Sequence, residues 1–134
     1  MQIVITQVAL DSYLTLKYAN AFTPAEYKAK IRPQVELLRD GVPSPHPELQ
    51  NSKVLSFATD RNGAPIPDCF KMKWHNLNER TAQLRLGLVV YEGEVFLGQA
   101  YTKTDAYTDK REMAKLKALA IDIRNGHLKW RELL

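Results

Sequence analysis

Three cationic side chains in the middle of the chain have the types and spacing suited to phosphate chemistry. Lys71 and Lys73 are two residues apart, so on a strand they project from the same face, and Arg85 follows in the next apolar run. Arginine stays charged and binds phosphate oxygens in pairs. A lysine crowded by other cations has a lowered pKa and can carry a proton, and His75 titrates near neutral pH. The pattern indicates a phosphate site in which Lys71, Lys73 and His75 are alternative proton carriers.

Alternating side chains predict the strands that hold these cations. Residues 69–75 and residues 82–91 each place apolar side chains at every second position, which predicts two strands. A third strand runs from Glu94 to about Thr102, after the tight turn Glu92-Gly93. Paired as an antiparallel meander with apolar sides on a core, they place the three cations on the opposite, open face. Like charges held together indicate an anionic ligand. Further candidates for this face are Gln99, Tyr101 and Lys103, and the candidates for stacking on a base are Tyr91, Tyr101 and Tyr107.

The segments before the meander predict a strand and two helices. Residues 2–9 are β-branched and predict a first strand, followed by a helix that begins near Tyr13. The run Thr23-Pro24-Ala25-Glu26 is typical of a capping box and opens a second helix, which Pro33 breaks or kinks. The two helices form an αα-hairpin. Residues 54–58 then predict the strand that precedes the meander.

The segments after the meander predict one long helix and a tail. Asp109-x-x-Glu112 is expected to cap this helix, and Asn125-Gly126 to end it. Its apolar stripe consists of Met113, Leu116, Ala120 and Ile123. Residues 127–134 form an amphipathic tail that folds back on the domain or binds a partner.

The predicted fold class is therefore α+β. An N-terminal strand and an αα-hairpin pack on a four-strand antiparallel meander, with a C-terminal helix, and the helices cover one face of the sheet. The length of 134 residues predicts a single domain over 1–134.

Composition narrows the classes of function. The net charge of +4 arises entirely within residues 61–134, which indicates a polyanionic partner, although a small domain also carries such a charge for solubility. Cys69 is the only cysteine and the histidines are scattered, so we expect no disulfide, no metal and no other cofactor. No apolar run has the roughly 20 residues that a membrane span needs, and no leader is visible, which predicts a cytoplasmic protein without a membrane partner.

The same residues resemble a known family. The run Pro67-Asp68-Cys69-Phe70-Lys71-Met72-Lys73 resembles the Pro-Asp-Cys-aromatic-Lys-aliphatic-Lys motif of the RelE/ParE toxin superfamily of bacterial toxin–antitoxin modules. Leu84-Arg85-Leu86 with Val89-Val90-Tyr91 is similar to its Arg-Leu-Val-Tyr strand, and Tyr101-Thr102-Lys103 to its final strand. The long C-terminal segment is similar to HigB-type relatives. Thr104 stands where RelE has an arginine, and Tyr107 is three positions early for the RelE tyrosine that stacks on a base.

The resemblance implies a RelE-like fold and a metal-independent endoribonuclease that cleaves messenger RNA at the ribosome and is silenced by a cognate antitoxin. Its motif residues imply catalysis by Lys71, Lys73 and Arg85, with His75 as a further candidate from its position. The candidates for RNA binding are Lys103, Tyr101, Tyr107 and Gln99. The alternatives are a gyrase-inhibiting toxin of the ParE kind, or an inactive relative that binds RNA or an antitoxin.

Each of these residues also has a purely structural interpretation. The two lysines can be solvated residues that protect a strand edge, His75 a hydrogen-bonded surface residue, and Tyr101 a packing residue between strands.

Overall fold

A computed structural model describes residues 1–80 and 82–134, and its centre is a β-sheet. The strands are β1 Gln2–Thr6, β2 Leu55–Thr59, β3 Pro65–Asn76, β4 Ala82–Tyr91, β5 Glu94–Thr102 and β6 Arg131–Leu133. They form one six-stranded sheet in the order β2-β3-β4-β5-β1-β6. The predicted α+β class is confirmed.

The strands β2 to β5 pair consecutively and antiparallel, as the sequence predicts. The first strand extends this meander because β1 pairs parallel with β5, with Ile3 opposite Val95. The tail folds back on the domain. Its strand β6 pairs antiparallel with β1, and the Leu134 amide donates a hydrogen bond to the Ile3 carbonyl.

Two helical segments cover one face of the sheet. Helix α1, Gln7–Tyr18, begins directly after β1 because the Thr6 hydroxyl accepts a hydrogen bond from the Ala9 amide. The predicted start near Tyr13 is therefore wrong. Helix α2 spans residues 24–40 and opens on the predicted capping box between Thr23 and Glu26.

Pro33 interrupts α2, as the sequence predicts. The helix widens to a π turn over Tyr27–Ile31 and returns to α geometry over Arg32–Glu36. A proline removes one backbone donor and its ring collides with the preceding turn, and a wider turn relieves that collision.

A third helix, α3 over Ala106–Arg124, covers the opposite face of the sheet. Its cap is Asp105, whose carboxylate accepts a hydrogen bond from the Thr108 amide at 2.7 Å. The predicted cap at Asp109 is therefore wrong, whereas the predicted stop is confirmed by Gly126 with a φ of 69°. Among the described residues no helix is long and apolar enough to cross a membrane.

Helix α3 can pack on this face of the sheet because part of the face consists of apolar side chains and glycines. The helix packs its apolar stripe on a buried layer that includes Cys69, Val89 and Phe96. Gly87 and Gly98 let it come close, since an added Cβ would lie 2.9 Å and 3.0 Å, respectively, from the Leu116 side chain. The expectation that this face stays open is wrong.

Candidate functional site

The strand register brings the predicted cations onto one face. Lys73 lies opposite Arg85 across the β3–β4 pair, and Arg85 lies opposite Tyr101 across the β4–β5 pair. Lys71 precedes Lys73 by two residues on the same strand, so its side chain points to the same side. The prediction that Lys71, Lys73 and Arg85 share one face of the sheet is confirmed.

A carboxylate from the first turn of α3 lies at the centre of these residues. Lys71 Nζ donates to Asp109 Oδ2 at 2.8 Å, and the Tyr101 hydroxyl donates to Asp109 Oδ1. Burial opposes ionisation of Asp109, but these two hydrogen bonds and the charges of Lys71 and Lys103 outweigh it, so its pKa lies below the ordinary value. Burial and the adjacent carboxylate raise the pKa of Tyr101, which keeps its hydroxyl protonated as a donor.

Arg85 and Gln99 lie beneath α3. Only 7% of the Arg85 surface is exposed, and its NH1 group donates to the Leu84 carbonyl at 3.0 Å and to the Trp74 carbonyl at 3.4 Å. Burial lowers the pKa of Arg85, although arginine stays charged at neutral pH. Gln99 Nε2 donates to the Glu112 carbonyl, while its Oε1 atom has no partner among the described residues.

Lys73 and His75 lie farther along β3, outside the part covered by α3. Lys73 is half-buried, and its Nζ donates to the Ser52 carbonyl at 2.9 Å. Burial lowers its pKa, and the neighbouring charges of Lys71 and Arg85 lower it further. His75 is exposed, and its Nε2 donates to the Lys53 carbonyl at 2.8 Å, so its ring already serves a structural contact.

The two remaining candidates, Lys103 and Tyr107, lie in different places. Lys103 is exposed at the end of β5, where its amide donates to the Gln83 carbonyl, and its charge acts on both Lys73 and Asp109. Tyr107 is 72% exposed, and its ring lies beside the Arg111 guanidinium on α3 and not with the other candidates. We call the four residues that act electrostatically on one another or on Asp109 the cation cluster: Lys71, Lys73, Arg85 and Lys103.

Sequence reasoning missed Asp109, although a signal was present. Asp109 lies one helical turn before Met113, so it continues the stripe that also contains Leu116. A carboxylate on the buried stripe of a helix needs a cationic partner, and strand β3 supplies that partner as Lys71. Interpreting Asp109 as a cap concealed this role.

The geometry divides the cation cluster into an outer and an inner half. Lys73 and Lys103 reach solvent, whereas Lys71 and Arg85 are buried beneath the first turn of α3. Within the described residues, Asp109 is the carboxylate that acts on this cluster, and its single negative charge leaves an excess of positive charge that attracts anions. The outer half can bind a phosphate directly, and the inner half only if Asp109 withdraws.

Comparisons with known proteins do not assign the chain to a family. Protein-family models, curated proteins and solved structures were compared with the chain, and none of them matches it.

Proposed function

We propose that the chain is the toxin of a type II toxin–antitoxin module and cleaves messenger RNA at the ribosome. The observation that carries this proposal is the row formed by Lys73, Arg85 and Tyr101 across three adjacent strands, with Lys71 beside it. The row combines a permanent cation with a half-buried lysine of lowered pKa, which is the combination that metal-independent cleavage of RNA requires.

The proposed reaction is attack of a ribose 2′-OH on its own phosphate. The 2′ oxygen bonds to phosphorus and the bond from phosphorus to the 5′ oxygen breaks, which leaves a 2′,3′-cyclic phosphate and a 5′-OH end. Lys73 in its neutral form takes the 2′ proton, and burial together with the charges of Lys71 and Arg85 favours that form because both lower the pKa of Lys73. Arg85 and Lys71 stabilise the charge that develops on the phosphate, and a proton from the surroundings completes the 5′-OH.

This function requires the first turn of α3 to move. The Asp109 carboxylate now accepts hydrogen bonds from Lys71 and Tyr101, and we infer that it occupies the place of a phosphate oxygen. An RNA phosphate held first by Lys73 and Lys103 would compete for Lys71 and displace the carboxylate. Ribosomal binding would supply the free energy for this exchange, and the antitoxin would silence the toxin by covering the same exposed residues.

A second candidate function is favoured by the burial of Arg85 and Lys71. If the Lys71–Asp109 ion pair never opens, the chain is a non-catalytic relative that binds RNA or an antitoxin through the exposed half of the cation cluster. Both candidates use Lys73 and Lys103, but only the nuclease uses Arg85.

The test is to map the 5′ ends of messenger RNA on translating ribosomes incubated with the purified chain. We expect new cuts with the wild type, none with Lys73→Ala, and none with Lys73→Arg, because arginine keeps the charge but does not accept a proton. Lys28→Ala, which removes an exposed lysine on α2, is the matched control and should cut normally. Normal cutting by Lys73→Ala would refute the site. Binding to ribosomes or RNA without cuts by the wild type would favour the second candidate.

A further inference from the structure

A second basic surface lies between α3 and the turn that joins β2 to β3. It is a groove of about 790 Å³, and we call it the α3 groove. Its lining residues include the cations Arg61, Lys110, Arg111 and Lys117. None of these residues belongs to the cation cluster, and nothing in the proposed reaction uses them.

Of the four cations that line the α3 groove, Arg111 lies 3.8 Å from a carboxylate oxygen of Glu112, and Arg61 and Lys117 act electrostatically on Asp60. Among residues 1–80 and 82–134, no carboxylate lies within ion-pair distance of Arg61, Lys110 or Lys117. The acidic residue lining the groove is Asp60, whose carboxylate accepts the Asn62 amide at 2.8 Å and the Ala64 amide at 3.0 Å and so holds the turn. A concave surface with several cations and one engaged carboxylate attracts a polyanion.

An exposed aromatic ring accompanies these cations. Tyr107 is 72% exposed, and the Arg111 guanidinium lies 5.9 Å from the centroid of its ring. Lys110 and Lys117 follow on the same side of α3, seven residues apart, which corresponds to about 10 Å along the helix. The buried side chains of Ile66 and Met113 contribute to the lining of the groove.

We propose that the α3 groove binds single-stranded RNA, with a base stacked on Tyr107 and the phosphates following Lys110, Lys117 and Arg61. Stacking platforms beside cations are how proteins hold single strands without reading sequence. The groove is lined by Tyr107 and Lys110, and the cation cluster contacts Asp109, so both sites involve the N-terminal turns of α3. The proposal rests on the proposed function for its class of ligand, but it does not require cleavage.

The first test measures the binding of a 2′-O-methyl RNA 12-mer, which has no 2′-OH for cleavage, at several salt concentrations. Each phosphate contact contributes about 0.7 to the slope of log K against log salt concentration for single strands. Lys110→Gln with Lys117→Gln should therefore reduce that slope by about 1.4. The matched control, Lys17→Gln with Lys28→Gln, removes the same charge from exposed lysines of α1 and α2 and should leave the slope unchanged.

The second test separates stacking from charge. Tyr107→Ala should weaken binding by about 5- to 150-fold, which is the range for one base stacked on an aromatic ring, and Tyr107→Phe should bind normally. Tyr18→Ala is the control, because Tyr18 is 80% exposed on α1, which packs on the opposite face of the sheet.

Three results would overturn this inference. The groove double variant and its control could have equal slopes, Tyr107→Ala could bind like Tyr107→Phe, or polyglutamate of equal charge could compete as well as RNA, which would indicate a site for an acidic protein segment. The two proposals fail separately. If the groove variants bind RNA normally and Lys73→Ala makes no cuts, only the proposal for the α3 groove is refuted. If the groove variants lose binding as expected but the wild type makes no cuts, only the proposed nuclease function is refuted.

Discussion

Replacing Asp109 by asparagine should destabilise the fold far more than a surface substitution. The Lys71 and Asp109 side chains are 11% and 18% exposed, so the substitution leaves a buried ammonium group without its counter-ion. Removing one partner of a buried pair costs about 3 to 5 kcal/mol. Because Asp109 keeps some exposure, we expect about 3 kcal/mol, which corresponds to a fall in Tm of about 10 °C for a chain of this length.

The double variant Lys71→Met with Asp109→Asn tests the cause of this loss. Methionine keeps the length of lysine without its charge, so no unpaired ammonium remains, and we expect most of the lost stability to return. The acid dependence gives a second check. Since the pKa of Asp109 is lowered on folding, its contribution is fully present above the unfolded pKa of about 3.9 and is lost as pH falls through the folded value. The gap between the wild type and Asp109→Asn should therefore begin to narrow below about pH 4 and keep narrowing as the pH falls further.

The measurement is urea unfolding of the three proteins at pH 7 and at intervals down to pH 3. A loss below about 0.5 kcal/mol for Asp109→Asn would show that the pair does not hold the first turn of α3. Failure of the double variant to recover would show that the loss came from packing and not from the unpaired charge.

Three further predictions follow from contacts around the same helix. Inorganic phosphate should raise the Tm of Asp109→Asn more than that of the wild type, because the competing carboxylate is gone; equal shifts would mean that Asp109 does not occupy an anion site. Gly98→Ala should lower the free energy of unfolding by about 2 to 3 kcal/mol in thermal unfolding, because the added Cβ would lie 3.0 Å from the Gly87 carbonyl oxygen. Gly87→Ala should lower it by about 1 kcal/mol, because the added Cβ meets only the flexible end of the Leu116 side chain. The reverse order of the two losses would contradict this reasoning. The Cys69 thiol should resist alkylation at pH 8 until the protein unfolds, since burial raises its pKa to about 11; rapid labelling of the native protein would disprove its burial.

The strands of the meander could be predicted because the signals for them, side-chain alternation and turn residues, lie within each short segment of the sequence. Alternation between residues 69 and 75 fixed which side chains share a face, and the turn at Glu92-Gly93 fixed the next pairing, where both residues have positive φ angles. The parallel pairing of β1 with β5 has no local signal, because it depends on which edge of the finished sheet remains free.

The covering of the cation face could not be deduced from alternation alone. Alternation places Gly87 and Val89 on the same side of β4 as Arg85, but a glycine and a valine on one face give a surface on which a helix can pack. The apolar stripe of α3 was predicted correctly, whereas its docking position depends on the shape of the sheet surface. The burial of Arg85 follows from that docking, and this is the part of the site that the sequence left undetermined.

The parallel pair of β1 and β5 also determines when the protein becomes complete during synthesis. Residues 2–5 pair with residues 94–97, so the first strand lacks this neighbour until residue 97 has been synthesised. Contacts of such long separation form late in folding. The row of Lys73, Arg85 and Tyr101 is likewise completed only by β5. A nascent chain that has not yet reached β5 therefore carries no assembled cation row.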